Sequence, residues 1–321
     1  MSAWTAGRPL VRPARVVGLA SVLVDVAVRL PGLPPRGGDV VAADAGRAAG
    51  GGINALAAAA RLGLPAAYAG PHGSGPNGDA VRAALAADGI AALLPPDPAA
   101  DTGWCLAMLE PDGERTFVTV PGAEARQRRE PLAAVGLRAD DAVYVSGYDL
   151  AYPDAGPAVA AFVAGLPAAA DGGPLVVLDP GPLVGEIPGR LVLDVLDRTD
   201  LLTLSRTEAA SMGVGDGLRC PGMPDDAAVV VRAGADGAVV RCPGVQPHRQ
   251  PGVAPPGPVV DTNGAGDVHT GALLAGLGRG LDLPGAVRLA NTAAAWSVTR
   301  PGASSGPTTS DLAPAGPALG D

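Results

Sequence analysis

Residues 260–273 read Val-Asp-Thr-Asn-Gly-Ala-Gly-Asp-Val-His-Thr-Gly-Ala-Leu. An apolar, β-branched approach, Pro258 to Val260, runs into the turn Gly264-Ala265-Gly266, then Asp267, then an amphipathic helix expected over 267–279. A turn feeding a helix in this way aims backbone N–H groups and the positive end of the helix dipole at one point. That point favours an anion, most often a phosphate. A carboxylate beside it would repel phosphate, so Asp267 is best explained as a base that takes the proton from an attacking hydroxyl. The small residues Gly271, Ala272 and Ala275 are expected to let the helix approach the sheet closely.

Composition narrows what such a site can use. The chain has 321 residues with a net charge of −9, and all its basic side chains other than His are Arg. The acidic balance argues against a nucleic-acid partner, which would need a basic face. A Walker A loop needs Lys, so phosphate must be met here by backbone amides, Arg or a metal. Hydrophobic residues make up 47% and aromatics only 3%, which implies a core of Ala, Val and Leu. Cys105, Cys220 and Cys242 form no metal-spaced pair, and a sparse, odd count fits a reducing interior. The start lacks a signal-peptide pattern, and no apolar run reaches the length of a membrane span. The expected location is the cytoplasm, with no membrane partner. The first dozen residues and those from about Pro307 onward read as loose ends.

Outward from the motif, short apolar runs alternate with helix-compatible segments. Strands are expected over 16–28, 66–70, 142–146, 175–179, 201–204 and 228–231, and helices over 53–62, 78–88 and 283–299. This rhythm means a mostly parallel sheet covered on both faces. Two alternating segments, Trp104–Leu109 and Arg115–Val120, joined by Pro111-Asp112-Gly113, read as a hairpin that breaks the rhythm. A second hairpin is expected over 229–241, split by Gly234-Ala235-Asp236-Gly237. One domain over 1–321 with a protruding sheet is the simplest organisation.

Asp261-Thr262-Asn263-Gly264-Ala265-Gly266-Asp267 resembles the C-terminal signature of the ribokinase-like (PfkB) carbohydrate kinases. Residues 49–63, with Gly51, Gly52 and Asn54 ahead of an Ala-rich helix, resemble that family's N-terminal glycine signature. Residues 289–302 are similar to its C-terminal helix and loop. The resemblance spans roughly 16–307. It implies a ribokinase-like three-layer α/β/α fold with a mostly parallel sheet and a small β-sheet lid, discontinuous over about 24–48 and 102–121. It implies an ATP-dependent phosphotransferase acting on a hydroxyl, expected to be a hydroxymethyl, of a sugar or sugar-like molecule. In that reading Asp267 is the base, and Gly264, Ala265 and Gly266 form the anion hole. Asp25, Gly51, Gly52 and Asn54 hold sugar hydroxyls. Ser205, Glu208, Arg232, Gly234 and Asn291 lie by the nucleotide, with Glu208 organising the hydration of Mg2+. Asp261 and the 300–304 loop correspond to a monovalent-cation site for K+.

The chain departs from the family pattern twice. Gly51-Gly52-Ile53-Asn54 is shorter than the usual spacing, and Ser205 stands where the family's Asn-x-x-Glu begins with Asn. His269, two residues past the base, reads as a helix-face residue packing near the site. His72 and His248 carry no site role. The Trp104–Val120 hairpin could serve as a lid, as a homodimer contact, or as both.

Three rival readings remain at this point. A nucleoside could be the acceptor, with Trp104 as its stacking partner. The chain could bind ligand without transfer. Residues 73–78, Gly-Ser-Gly-Pro-Asn-Gly, match a dinucleotide fingerprint, with Asp97 as the distant acid; the family resemblance instead implies that this loop lies near the sugar, with Asn77 a secondary contact. Against the fingerprint, Pro76 removes an amide from the turn, and the motif does not follow the first strand.

Overall fold

A computed structural model describes residues 10–112 and 114–313. Its larger sheet has nine strands. In chain order these are β1 (Arg15–Gly18), β4 (Ala66–Tyr68), β5 (Ala91–Ala92), β8 (Asp141–Ser146), β9 (Leu175–Asp179), β10 (Leu201–Ser205), β11 (Ala228–Arg232), β12 (Gly237–Arg241) and β13 (His248–Pro251). Their spatial order is β13-β12-β11-β10-β9-β8-β1-β4-β5. From β11 to β5 every pairing is parallel; β12 pairs antiparallel with both β11 and β13 and is the reversed strand.

Both faces of this sheet are covered, and the alternation of side chains shows how. Val16, Tyr144, Val177, Leu201 and Val230 point into one core with α1 (Ile53–Arg61), α8 (Ala265–Gly278) and α9 (Leu283–Ser297). Val17, Val145, Leu178, Leu202 and Val229 point into the other, against α5 (Ala155–Ala164) and α6 (Gly189–Leu196). Strands buried on both faces are why these runs are apolar throughout rather than alternating.

The smaller sheet has the order β3-β2-β6-β7, with β2 (Val22–Arg29), β3 (Asp44–Gly51), β6 (Trp104–Leu109) and β7 (Arg115–Val120). β2 pairs antiparallel with β3 and parallel with β6, and β6 pairs antiparallel with β7. The 104–120 hairpin has the expected limits, while Gly113 of its turn lies outside the described residues.

Several expectations need correction. The run 16–28 is two strands in two sheets, parted by Leu19, Ala20 and Ser21. Asp25 therefore lies inside β2, in the smaller sheet. The apolar approach at 258–260 is not buried: Val259 and Val260 are exposed, and the Val260 amide donates to the Val298 carbonyl (2.8 Å). α8 is not amphipathic, since every residue from Val268 to Leu277 is buried. Its small face meets a helix rather than the sheet: a Cβ on Gly271 would sit 2.2 Å from the Ala55 carbonyl oxygen of α1. Past Pro307, residues 308–312 are also built in, while 314–321 lie outside the described residues. Thr308 and Asp311 form a capping box on α10 (Thr309–Leu312), and Leu312 is buried. At the other end, residues 1–9 lie outside the described residues, but Leu10 and Val11 pack on the core and Arg12 donates to the Gly278 carbonyl (2.8 Å).

Candidate active site

The parallel strands β8, β9, β10 and β11 end at Ser146, Asp179, Ser205 and Arg232. In open α/β sheets the crevice outside these carboxyl ends is where ligands bind. Two adjoining cavities occupy it here. One of about 200 Å³ is lined by Gly51, Gly52, Ser146, Tyr148, Asp179 and Asp267, among others. One of about 470 Å³ is lined by Gly234, Val253, Pro255, Val259, Asn291 and Val298, among others. Glu208, Arg232 and Gly266 belong to both and mark the junction.

The N-terminus of α8 opens at that junction. Gly264 has φ +73, and a Cβ there would lie 2.1 Å from the Ala303 carbonyl oxygen. Only glycine satisfies both conditions. The Ala265 amide makes a long bond to the Thr262 carbonyl (3.4 Å), and the Gly266 and Asp267 amides have no carbonyl four residues back inside the helix, so the positive end of α8 lies at the crevice. Gly266 lies over the Arg232 guanidinium, which a Cβ at this position would approach to 3.7 Å.

Asp267 lies in the first turn of α8, and its Oδ2 accepts from Asn54 Nδ2 (3.1 Å). Burial and the neighbouring Asp179 carboxylate raise its pKa to about 7, against the opposing pull of Asn54 and Arg232. Asn54 is itself buried, at the start of α1, and its Oδ1 has no protein partner. It is therefore tied to Asp267 and keeps one acceptor to spare.

Arg232 is held from four sides. Its guanidinium donates twice to Asp179 (2.6 and 3.1 Å), to Thr203 Oγ1 (3.1 Å), to Thr270 Oγ1 (3.0 Å) and to Glu208 Oε2 (3.4 Å). Burial would lower its pKa, but the Asp179, Glu208 and Asp267 carboxylates raise it overall. Glu208 also caps α7 (Arg206–Ser211), with its Oε2 accepting from the Ser205 amide (2.6 Å) and its own amide donating to Ser205 Oγ (3.2 Å). Ser205 thus acts as a helix cap at the rim of the larger cavity. Three carboxylates surround one guanidinium at this junction. Oxygen donors with surplus negative charge suit a hard divalent cation. Among the described residues no group of three or more His, Cys, Asp or Glu could hold a metal directly.

The other expected residues fall on either side. Gly51 and Gly52 line the small cavity; Gly51 has φ +71, and its Cβ would lie 2.6 Å from the Ser21 carbonyl oxygen. Asp25 sits on β2 with its pKa raised by burial to about 6, close enough to Asp267 to contribute to that group's shift. A Cβ on Gly50 would lie 1.9 Å from its Oδ2. Gly234, with φ +58, lines the larger cavity. Asn291 lines it too, but its amide donates to the Pro251 carbonyl (2.9 Å) and its Oδ1 meets His269 Nε2 (3.2 Å), so it ties α9 to β13. Burial, then Arg232, lowers the His269 pKa to about 3, which keeps the ring neutral.

Sequence reasoning missed Asp179, Ser146, Tyr148, Thr203 and Thr270. Asp179 and Ser146 had a signal, since each ends a parallel strand. Tyr148, on α4 (Gly147–Ala151), had none. Its hydroxyl pKa is raised to about 12 by burial and by Asp267, so it remains a donor.

The dinucleotide reading of residues 73–78 fails on geometry. The Asn77 and Gly78 amides already donate to Asp101 (3.0 and 2.8 Å) at the start of α2 (Pro76–Ala87). Burial would raise the Asp101 pKa, but amides including these two hold it low. The chain's own carboxylate fills the cradle that a pyrophosphate would need.

Known proteins share this architecture. A family model for pfkB family carbohydrate kinases matches residues 15–310. The chain is 34% identical to the uncharacterized sugar kinase YegV of Escherichia coli (strain K12) over 306 residues, 92% of each chain. It superposes on the ribokinase from Cryptococcus neoformans var. grubii serotype A in complex with ADP with a TM-score of 0.77, at 21% identity, covering 94% of this chain and 98% of that one. Arabidopsis thaliana ribokinase complexed with ribose and ATP gives 0.73 at 25% identity, with the same coverage. This chain belongs to the pfkB family of carbohydrate kinases.

Proposed function

We propose that this kinase moves the γ-phosphoryl of ATP to a hydroxymethyl oxygen of a sugar or sugar-like small molecule. The observation that carries the reading is the junction: two cavities meet at Gly266, Arg232 and Glu208, with Asp267 on the smaller side. ATP takes the larger cavity, with its adenine against the apolar wall near Val253 and Val298. The acceptor takes the smaller one, held by Gly51, Gly52, Asp25 and the spare Oδ1 of Asn54.

In the step itself the acceptor oxygen bonds to the γ-phosphorus, the bond from that phosphorus to the bridging oxygen breaks, and ADP leaves. The hydroxyl proton passes to Asp267. The amides of Gly264, Ala265 and Gly266 and the Arg232 guanidinium receive the negative charge of the moving group. Mg2+ would neutralise phosphate charge, and Glu208 is the carboxylate that would hold its hydration shell. The smaller sheet shields the acceptor from water, which would otherwise take the phosphoryl group. β7 is an edge strand with Phe117 and Val118 exposed, which supports pairing of two copies through this sheet.

A nucleoside acceptor is the second reading. The smaller cavity, at about 200 Å³, lies below the ~300–1,000 Å³ of sites for drug-sized ligands, which favours a single sugar ring. A thermal-shift panel of ribose, fructose, 2-keto-3-deoxygluconate, adenosine and inosine, followed by acceptor-dependent ADP release, decides between them. A sugar or sugar acid should both raise Tm and release ADP. Stabilisation and turnover confined to the nucleosides would reverse the assignment. Stabilisation without ADP release would make the chain a binding protein.

A further inference from the structure

Asp261 precedes the anion-hole turn, and both of its carboxylate oxygens accept from the protein itself. Its Oδ1 accepts from the Arg115 guanidinium (2.5 Å) and the Asn263 amide (2.9 Å), and its Oδ2 accepts from the Gly302 amide (3.1 Å). Arg115 is 146 residues away in sequence and opens β7, the outer strand of the smaller sheet. Both partners are largely shielded, with side chains 26% and 17% exposed. Two other cations nearby are engaged elsewhere: Arg300 stacks 3.2 Å from the Trp296 ring centroid and donates to Thr299 Oγ1 (2.7 Å), and Arg61 pairs with Asp88 and donates to the Ser304 carbonyl (2.6 Å).

The Arg115 guanidinium already sits against the Asp261 carboxylate and compensates its charge, so a second cation, K+, does not fit these residues as they stand. The same contacts tie three segments together. Asp261 bridges β7 to the 300–304 loop, and the Ala303 carbonyl of that loop packs on Gly264.

We infer that Arg115 is the built-in cation of the anion-hole loop: its guanidinium, delivered by the smaller sheet, neutralises Asp261 and holds residues 261–264 in place, so that phosphoryl transfer needs no free monovalent cation. Arg115 is a positioning residue, since it acts on the reacting group only through Asp261 and the turn. The inference rests on the phosphotransfer reading of Gly264–Gly266.

The test compares binding of Mg2+–AMP-PNP, and slow ADP release from Mg2+–ATP, in tetramethylammonium chloride and in potassium chloride at equal ionic strength. The wild-type chain should behave alike in both salts. Loss of a charge-assisted hydrogen bond makes Arg115→Met about tenfold weaker in tetramethylammonium, and K+, entering the vacated place, should restore it. Arg115→Lys should behave as wild type. Asp261→Asn should be weak in both salts with no recovery. Recovery by K+ separates positioning from misfolding, because an unfolded chain recovers in neither salt. A wild-type chain that tightens about tenfold in K+ overturns the inference, and so does Arg115→Met matching wild type in both salts. A wild-type chain that binds no AMP-PNP in either salt overturns the phosphotransfer reading and this inference with it.

Discussion

At Asp267, burial and the Asp179 carboxylate favour the protonated form, while Asn54 and Arg232 favour the ionised one. The outcome is a pKa of about 7. A base works only when ionised, so kcat/KM should rise as pH climbs through about 7 and level off above it. Asp179→Asn removes the repulsion and should move that midpoint to lower pH; a pH–rate profile measures it, and an unchanged or higher midpoint would remove Asp179 from the account. Asp179 also shows why sequence reasoning fell short at this scale. The stretch 264–267 is contiguous, so its chemistry was legible from neighbouring letters. The Asp179–Arg232–Thr203–Thr270 network joins three strands and α8, and only the sheet register and the packing of α8 on it bring them together. Arg232 was expected at the nucleotide, but its bidentate partner was not foreseen.

Among the elements, α8 matters most, and two of its glycines can be tested separately. Gly264→Ala places a side chain at φ +73 and a Cβ 2.1 Å from a carbonyl oxygen. The left-handed conformation alone costs about 1–2 kcal/mol. A fall in Tm together with a fall in kcat is expected, because the same turn carries the first-turn amides. Gly271→Val should lose stability through overpacking against Ala55 and Ala58, by about 1–3 kcal/mol in urea denaturation. A stability equal to wild type would show that α1 and α8 do not pack as described. Elements were legible where side chains advertise their surroundings. The alternation in 104–109 and 115–120 marked both strands to the residue. β3 escaped notice because Asp-Ala-Gly-Arg-Ala-Ala-Gly-Gly contains no β-branched or aromatic residue; its pairing with β2 makes it a strand. α2 begins at Pro76, ahead of the expected Gly78, because proline suits the first helical turn.

Across the whole molecule, the parallel sheet places four strand ends around one crevice, and the smaller sheet reaches back to it through Arg115. Among the described residues no helix is long and apolar enough to cross a membrane. The alternating strand–helix rhythm made the layered fold readable, because apolar runs buried on both faces leave few other arrangements. The partition of the crevice into two cavities was not readable, since it depends on loops such as 252–259 whose path has no periodic signal. The central claim is that the two cavities exchange a phosphoryl group past Asp267. The most direct measurement is the rate of ADP release by Asp267→Asn with the acceptor found in the thermal-shift panel, alongside its affinity for Mg2+–AMP-PNP. The account predicts a rate lower by ~10²–10⁴ with nucleotide affinity retained; release at the wild-type rate would contradict it.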